Sequence, residues 1–324
     1  MVCLIAESGA TAMTELCREI LENYQVRKTK KQKRAFTALL QNHIPDLQVQ
    51  EMHFPKSRNL VIGDPETASV ILGAHYDTCP VLPFPNFVTP KRPGISIFYS
   101  IVVVFPLIAA IFLLNFIDFW DPLARYCLSL AAYAALMWLM LAGPANKHTA
   151  NDNTSGVITL LEIYQSLSPL QRERVCFVFF DNEEKGVIGS AQFRKKYKKI
   201  IIEKLLINFD CVSDGDYFLL AISKKANQKY HVPIAQAFPS ASGKYVLLEN
   251  LKKVYYPSDQ SGFPIAIAVA ALKCKKPFGY YLDRIHTNRD TVFDESNIAY
   301  LAEHTVRFID SISTHRETDQ TVCI

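Results

Sequence analysis

The stretch FVFFDNEEKGVIGS, from Phe177 to Ser190, decides how this chain folds. Phe177 to Phe180 is a continuous apolar run without polar alternation, which marks a central strand covered on both faces. Asp181, Asn182, Glu183 and Glu184 follow at once. They fall at the strand's C-terminal end, where open α/β sheets bind their ligands. A turn carrying Gly186 then leads toward a helix. Two adjacent carboxylates at a sheet edge repel each other, and a bound cation is the natural way to offset that repulsion. Taken alone, the pair reads first as a solvated acidic turn, and only the rest of the chain favours the cation.

Composition narrows the choice. The chain has 324 residues, 49% hydrophobic and 20% charged, enough for a full core in one large domain or two small ones. A formal net charge of +4 is no nucleic-acid footprint. Cys3, Cys17, Cys79, Cys127, Cys176, Cys211, Cys274 and Cys323 include no CxxC pair and read as reduced thiols in a reducing compartment. The opening MVCLIAESGATAMTE carries Glu7 and lacks a basic region ahead of a long apolar core, so it does not read as a signal peptide.

Upstream of the central strand, Leu16, Ile20, Tyr24, Phe36, Leu39 and Leu40 recur at helical spacing and predict helix from Thr11 to Asn42. Within it the run RKTKKQKR, Arg27 to Arg34, reads as a solvated face, with contact to anionic lipid as the alternative. Strands are expected at Leu47–Phe54, Asn59–Ile62 and Ser69–Ala74, the last delivering His75 and Asp77. Downstream, Asp152 opens a helix striped by Val157, Leu160, Leu161 and Tyr164, which leads into the strand Glu173–Phe180. A basic helix is expected at Gln192–Lys204, then strands Leu205–Phe209, ending at Asp210, and Tyr217–Ile222. Lys224–Leu251 stays ambiguous, and Tyr255–Leu272 reads as a loop entering a strand or helix. Glu295–Ile312 carries a helical apolar stripe.

One segment interrupts this pattern. Ile95 to Ile117 and Tyr126 to Gly143 contain no charged residue, and between them lie Asp118, Asp121 and Arg125. As helices they would span roughly 34 and 27 Å, against a hydrocarbon core of about 30 Å. That predicts a transmembrane hairpin, with a pair of buried core helices as the alternative. Trp120 and Tyr126 fall where interfacial aromatics belong. Lys91, Arg92 and Lys147 flank the hairpin, and the positive-inside rule then places both ends, and the globular part, in the cytoplasm.

His75, Asp152, Glu183, Glu184, Asp210 and His286 remain as two imidazoles and four carboxylates, several directly after strand-like runs. Histidine and carboxylate without thiolate suit catalytic zinc, although cobalt or manganese can occupy such ligands. Four carboxylates exceed the needs of one zinc. Two metals sharing one carboxylate would use them, leaving one for proton transfer.

The motifs GAHYDT, NDNTSG, DNEEKGVIGS, NFDCV and IHTNRDT, in this order, resemble the di-zinc aminopeptidase family, which includes bacterial leucyl aminopeptidase and the catalytic domain of glutamate carboxypeptidase. The resemblance covers roughly residues 30–90 and 145–312. It implies one α/β domain, residues 1–94 and 144–324, with a central mixed sheet of about eight strands between helices. The hairpin, residues 95–143 with spans 95–117 and 126–143, is then an insertion into that domain. By resemblance, two zinc ions are held: Glu184 and His286 on the first, His75 and Asp210 on the second, and Asp152 bridging both. Asp77 orients His75, a cis peptide follows Asp152, and Glu183 is general base and acid toward a water that the two metals ionise. The implied substrates are the N-terminal residues of short peptides or aminoacyl compounds. The other partner is the lipid bilayer, and no nucleic acid is expected. Tyr255, Tyr256, Tyr280 and Tyr281 are candidates to assist at the oxyanion, with packing as the rival role of each. A non-peptide amidohydrolase, a glutaminyl cyclase and an inactive membrane-bound scaffold share the fold and remain alternatives. Because the hairpin separates His75 from Asp152, the site is expected to open near the membrane surface.

Overall fold

The computed structural model describes residues 13–117, 121–241 and 243–321, with side chains in the last helix described as far as Ile312. Asp118 and Trp120, Cys3, Cys323 and the N-terminal segment weighed as a signal peptide lie outside these residues.

Two helices, α1 (Glu15–Asn23) and α2 (Lys30–His43), precede strands β1 (Gln48–Met52), β2 (Ser57–Ile62) and β3 (Val70–His75). Helices α3 (Pro93–Leu113), α4 (Pro122–Leu141), α5 (Gly156–Ser166) and the single turn α6 (Pro169–Arg172) follow. Then come β4 (Val175–Phe180), α7 (Ile188–Lys196), β5 (Leu205–Phe209), β6 (Tyr217–Ile222) and α8 (Lys224–Ala237). The chain closes with β7 (Tyr245–Asn250), β8 (Ala266–Lys275), β9 (Gly279–Tyr281) and α9 (Glu295–Thr321).

The strands form one mixed sheet in the order β1-β2-β4-β3-β5-β8-β6-β7, with β9 added against β8. The quartet β4, β3, β5 and β8 is parallel. The unbroken apolar run of β4 now has its explanation. Phe177 and Phe179 point into one core with α5, α8 and α9, while Cys176, Val178 and Phe180 point into the other with Phe193 of α7. Every residue of β4 is buried, and each fully buried Val or Phe contributes roughly 1.5–3 kcal/mol.

The structure departs from the sequence reading, or refines it, in four places. The predicted helix from Thr11 to Asn42 is two helices, because Thr29 caps α2 with a reciprocal Thr29–Gln32 capping box. The basic run is not one solvated face: Arg27 and Lys33 are buried. The ambiguous Lys224–Leu251 resolves into α8, started by Ser223 accepting from the Ala226 amide at 3.3 Å, and the outer strand β7. The predicted basic helix is also shorter, ending at Lys196.

Helices α3 and α4 stand apart from the cores. Pro93–Phe116 and Pro122–Leu141 are long and apolar enough to cross a membrane and are almost entirely unburied. Phe98, Phe105, Phe112, Leu130 and Trp138 are all exposed. A pair of buried core helices is therefore excluded.

Candidate metal centre

Parallel strands bring their C-terminal ends to one edge of the sheet, and the predicted site residues are the first to leave it. His75 is the last residue of β3 and pairs across the ladder with Phe180, the last of β4. Asp210 follows β5, its amide donating to the Val269 carbonyl of β8 at 3.0 Å. Glu183 and Glu184 follow β4 in a tight turn that only certain residues permit. Asn182, Gly186 and Val187 all have positive φ, 56°, 99° and 51°, which for a β-branched valine is a strained conformation. Gly189 is needed for a different reason. A Cβ there would lie 2.4 Å from both the Asp181 carbonyl and the Asn59 side chain, so its absence lets α7 start directly against the strand end.

Asp152 and His286 arrive on loops that are cross-linked to each other. Asp290 accepts from the Asn151 and Asp152 amides at 2.9 and 3.0 Å, one carboxylate oxygen to each. The Asn153 side chain donates to the Phe209 carbonyl at 3.0 Å and accepts from the Cys211 and Gly156 amides, tying the loop to the end of β5. The Asp152–Asn153 peptide is cis. The sequence resemblance named this peptide as cis; Asp290 was not singled out, and neither was the bracing role of the Asn153 side chain, although both residues sit inside the quoted motifs.

The six predicted residues converge. Asp152 faces both histidines, its Oδ1 3.3 Å from His75 Nε2 and its Oδ2 3.0 Å from His286 Nε2. His75 Nε2 also lies 3.6 Å from Asp210, and His286 Nε2 lies 3.4 Å from Glu184. The donor atoms of His75, Asp152 and Asp210 fall within 4.8 Å of one another, as do those of His75, Glu183 and Glu184. Asp77 sits behind the tandem glutamates, its carboxylate accepting from the Glu183 and Glu184 amides at 2.9 and 3.3 Å. His75 Nδ1 meets the Asp77 backbone carbonyl at 3.0 Å, closer than the Asp77 carboxylate at 3.8 Å.

Two residues near the centre escaped the sequence reading. Cys79 forms a third close group with Glu184 and His286, and its only signal was a place two residues past Asp77. Asp259 is fully buried; burial, with the Asp77 and Asp210 carboxylates, outweighs His75 and Ser190 and pushes it up to about 7. Of the tyrosines, Tyr256 donates to the Asp210 carbonyl at 3.1 Å. Tyr280 and Tyr281 pack on Tyr217 and Phe87, while Tyr255 is exposed.

The electrostatics are those of a cation site. Burial pushes Glu184 up to about 8, with Asp152 adding to it, and its buried Oε1 has no hydrogen-bond partner. Burial would lower His286, but Glu184 and Asp152 outweigh it and raise it to about 10. Imidazole and carboxylate donors packed this closely, with an orphaned buried oxygen, fit zinc. Without metal, protons on the imidazoles offset the carboxylates. A raised His pKa means that proton is present at neutral pH and must leave before a metal enters. Zinc affinity of the metal-free protein is therefore expected to rise with pH, by about tenfold per pH unit for each proton released. Calorimetry in buffers of different ionisation enthalpy measures that release; zinc binding without proton release would contradict it.

The hairpin is rooted in this same edge. The Val81 amide donates to the Pro144 carbonyl, and the Leu82 amide to the carbonyl of His286, each at 2.9 Å. Asn146 Nδ2 donates to the Thr287 carbonyl, also at 2.9 Å.

Comparison with known proteins identifies the family and the fold. The profile of peptidase family M28 matches residues 131–308. The fold is shared with the LapA aminopeptidase of Legionella pneumophila, at 13% identity and a TM-score of 0.54, covering 93% of this chain and 71% of that one. It is shared also with the glutaminyl cyclase of Macrostomum lignano, at 12% identity and a TM-score of 0.52, covering 93% and 89%. No curated protein sequence matches the chain.

Proposed function

We propose that this chain, which belongs to peptidase family M28, is a membrane-anchored zinc aminopeptidase acting on the N-terminal residues of short peptides. The observation that carries the reading is Asp152, whose two oxygens each face a different histidine at 3.3 and 3.0 Å. Glu184 and His286 would hold one zinc, His75 and Asp210 a second, and Asp152 both. When bound, zinc would supply a polarised carbonyl and a water acidic enough to be a nucleophile at neutral pH.

The rest falls to the chain. Glu183 takes the proton of the attacking water and returns it to the leaving amine. Burial raises its carboxyl well above the usual range in the metal-free site, with Glu184 and Asp259 adding and His75 opposing; the cationic charge of bound metals acts in the opposite direction. Asp77 fixes the Glu183–Glu184 turn through its two amides, and Asp290 fixes the loop of Asp152.

Residues 1–94 and 144–324 would form the catalytic unit and residues 95–143 a transmembrane hairpin, with the catalytic unit in the cytoplasm. Hydrogen bonds from the hairpin roots to the His286 loop support a site whose mouth opens at the membrane surface. Two experiments test the reading. Vesicles should retain the protein through alkaline extraction, and release into the supernatant would remove the anchor. Dipeptides should be split by the zinc-loaded protein. A peptide with N-terminal glutamine should yield free glutamine; an uncleaved peptide bearing N-terminal pyroglutamyl, with ammonia released, would mark a cyclase instead.

A further inference from the structure

The turn joining β1 to β2, His53 to Lys56, reaches the same edge of the sheet as the metal-centre residues. Met52 pairs with Ser57 and Leu60 with Phe179, so the turn lies level with the end of β4. Beside it is a cavity of about 240 Å³ between the start of α2, this turn and the Asp181–Lys185 segment. Its two carboxylates are already engaged, Asp181 by Lys33 and Glu51 by Arg58. Lys28, Lys30, Arg34, Lys56 and Lys185 remain around the opening. Among the described residues, no carboxylate pairs with any of these five. Lys28 instead donates to the Ala142 and Gly143 carbonyls at the foot of α4. Burial lowers its pKa, and the nearby Lys185 ammonium lowers it further, as expected where unneutralised cations crowd together. In the adjoining turn, two residues before Lys56, Phe54 is 96% exposed.

We infer that this cavity receives the phosphate of an anionic membrane lipid, with Phe54 entering the bilayer interface beside it. Cations near a membrane surface attract anionic headgroups, and an exposed aromatic side chain suits the headgroup level. A soluble anion would need the cations and not Phe54. The foot of α4 supplies the link, since Lys28 joins cavity to hairpin. The inference rests on the reading of α3 and α4 as a membrane hairpin. It adds a third contact that would hold the catalytic edge against the bilayer.

The test uses the full-length protein in non-ionic detergent, titrated with dioctanoyl phosphatidylglycerol, dioctanoyl phosphatidylcholine and inorganic phosphate. Phosphatidylglycerol should bind at least about tenfold more tightly than phosphatidylcholine, because each basic side chain near an anionic surface contributes about fivefold. The triple variant Lys30→Ala, Arg34→Ala, Lys56→Ala should lose at least about tenfold for phosphatidylglycerol and nothing for phosphatidylcholine, while its dipeptide turnover reports an intact fold. In nanodiscs, Phe54→Trp on a Trp120→Phe, Trp138→Phe background should be quenched by brominated acyl chains. Equal binding of both lipids, no effect of the triple variant, or an unquenched Trp would overturn the inference. So would inorganic phosphate binding as tightly as the lipid, which would make this a soluble-anion site. Alkaline extraction scores the hairpin independently of the detergent titration.

Discussion

Glu183→Gln is expected to lower kcat on aminoacyl amides by about three to four orders of magnitude while leaving bound zinc unchanged. The carboxamide keeps the side chain's size, and the Glu183 backbone amide that donates to Asp77 at 2.9 Å is untouched, so the turn survives. What is lost is the group that accepts and returns a proton. Glu184→Gln is the informative contrast. Its oxygen lies 3.4 Å from His286 Nε2, and neutralising it removes a charged ligand, so zinc content should fall with activity. Metal analysis beside turnover separates the two. Equal zinc loss in both variants would make Glu183 a ligand and not a proton carrier.

Arg27→Met is expected to destabilise the fold by about 3–5 kcal/mol, whereas Lys31→Met should stay within about 0.5 kcal/mol of wild type. Both residues belong to the same basic run. Arg27 is fully buried and donates to the Tyr76 and Tyr24 carbonyls at 2.5 Å and to Thr154 at 3.1 Å. Its guanidinium also lies 5.2 Å from the Phe36 ring centre. Burial lowers its pKa to about 10, opposed by the Asp77 and Asp152 carboxylates. Removing it takes the donor from the Tyr76 and Tyr24 carbonyls, each loss costing about 1–3 kcal/mol, while Thr154 keeps Thr149 at 3.3 Å. Lys31 is exposed. Thermal unfolding of both variants in the same detergent reads the difference; equal effects would refute the buried role of Arg27.

That contrast marks what periodicity could and could not supply. The strands delivering His75, Glu183 and Asp210 were legible because apolar runs and the polar residues that end them are local features of the sequence. The cross-strand order was not, since β4 sits between β2 and β3 through contacts distant in the chain. RKTKKQKR read as one charged face, because nothing in its spacing distinguishes Arg27, which faces carbonyls just past the ends of β3 and α1, from Lys31, which faces solvent. Lys33 is in the same position: its partner, Asp181, is far along the sequence. Thr29 ends the predicted single helix with a local cap, a signal that the strong apolar stripe on either side obscured. At the metal centre, histidines and carboxylates announced themselves by type, while Asp290 and Asn153 act through backbone amides and carbonyls and leave no residue-type signature.

The most direct test is zinc titration of the metal-free, detergent-purified protein, with bound metal and hydrolysis of an aminoacyl amide followed together. The expected result is activity that is absent without metal, rises with zinc and saturates at two ions per chain. Failure to bind zinc, or zinc bound in full with no hydrolysis of any aminoacyl amide or dipeptide, would contradict the account.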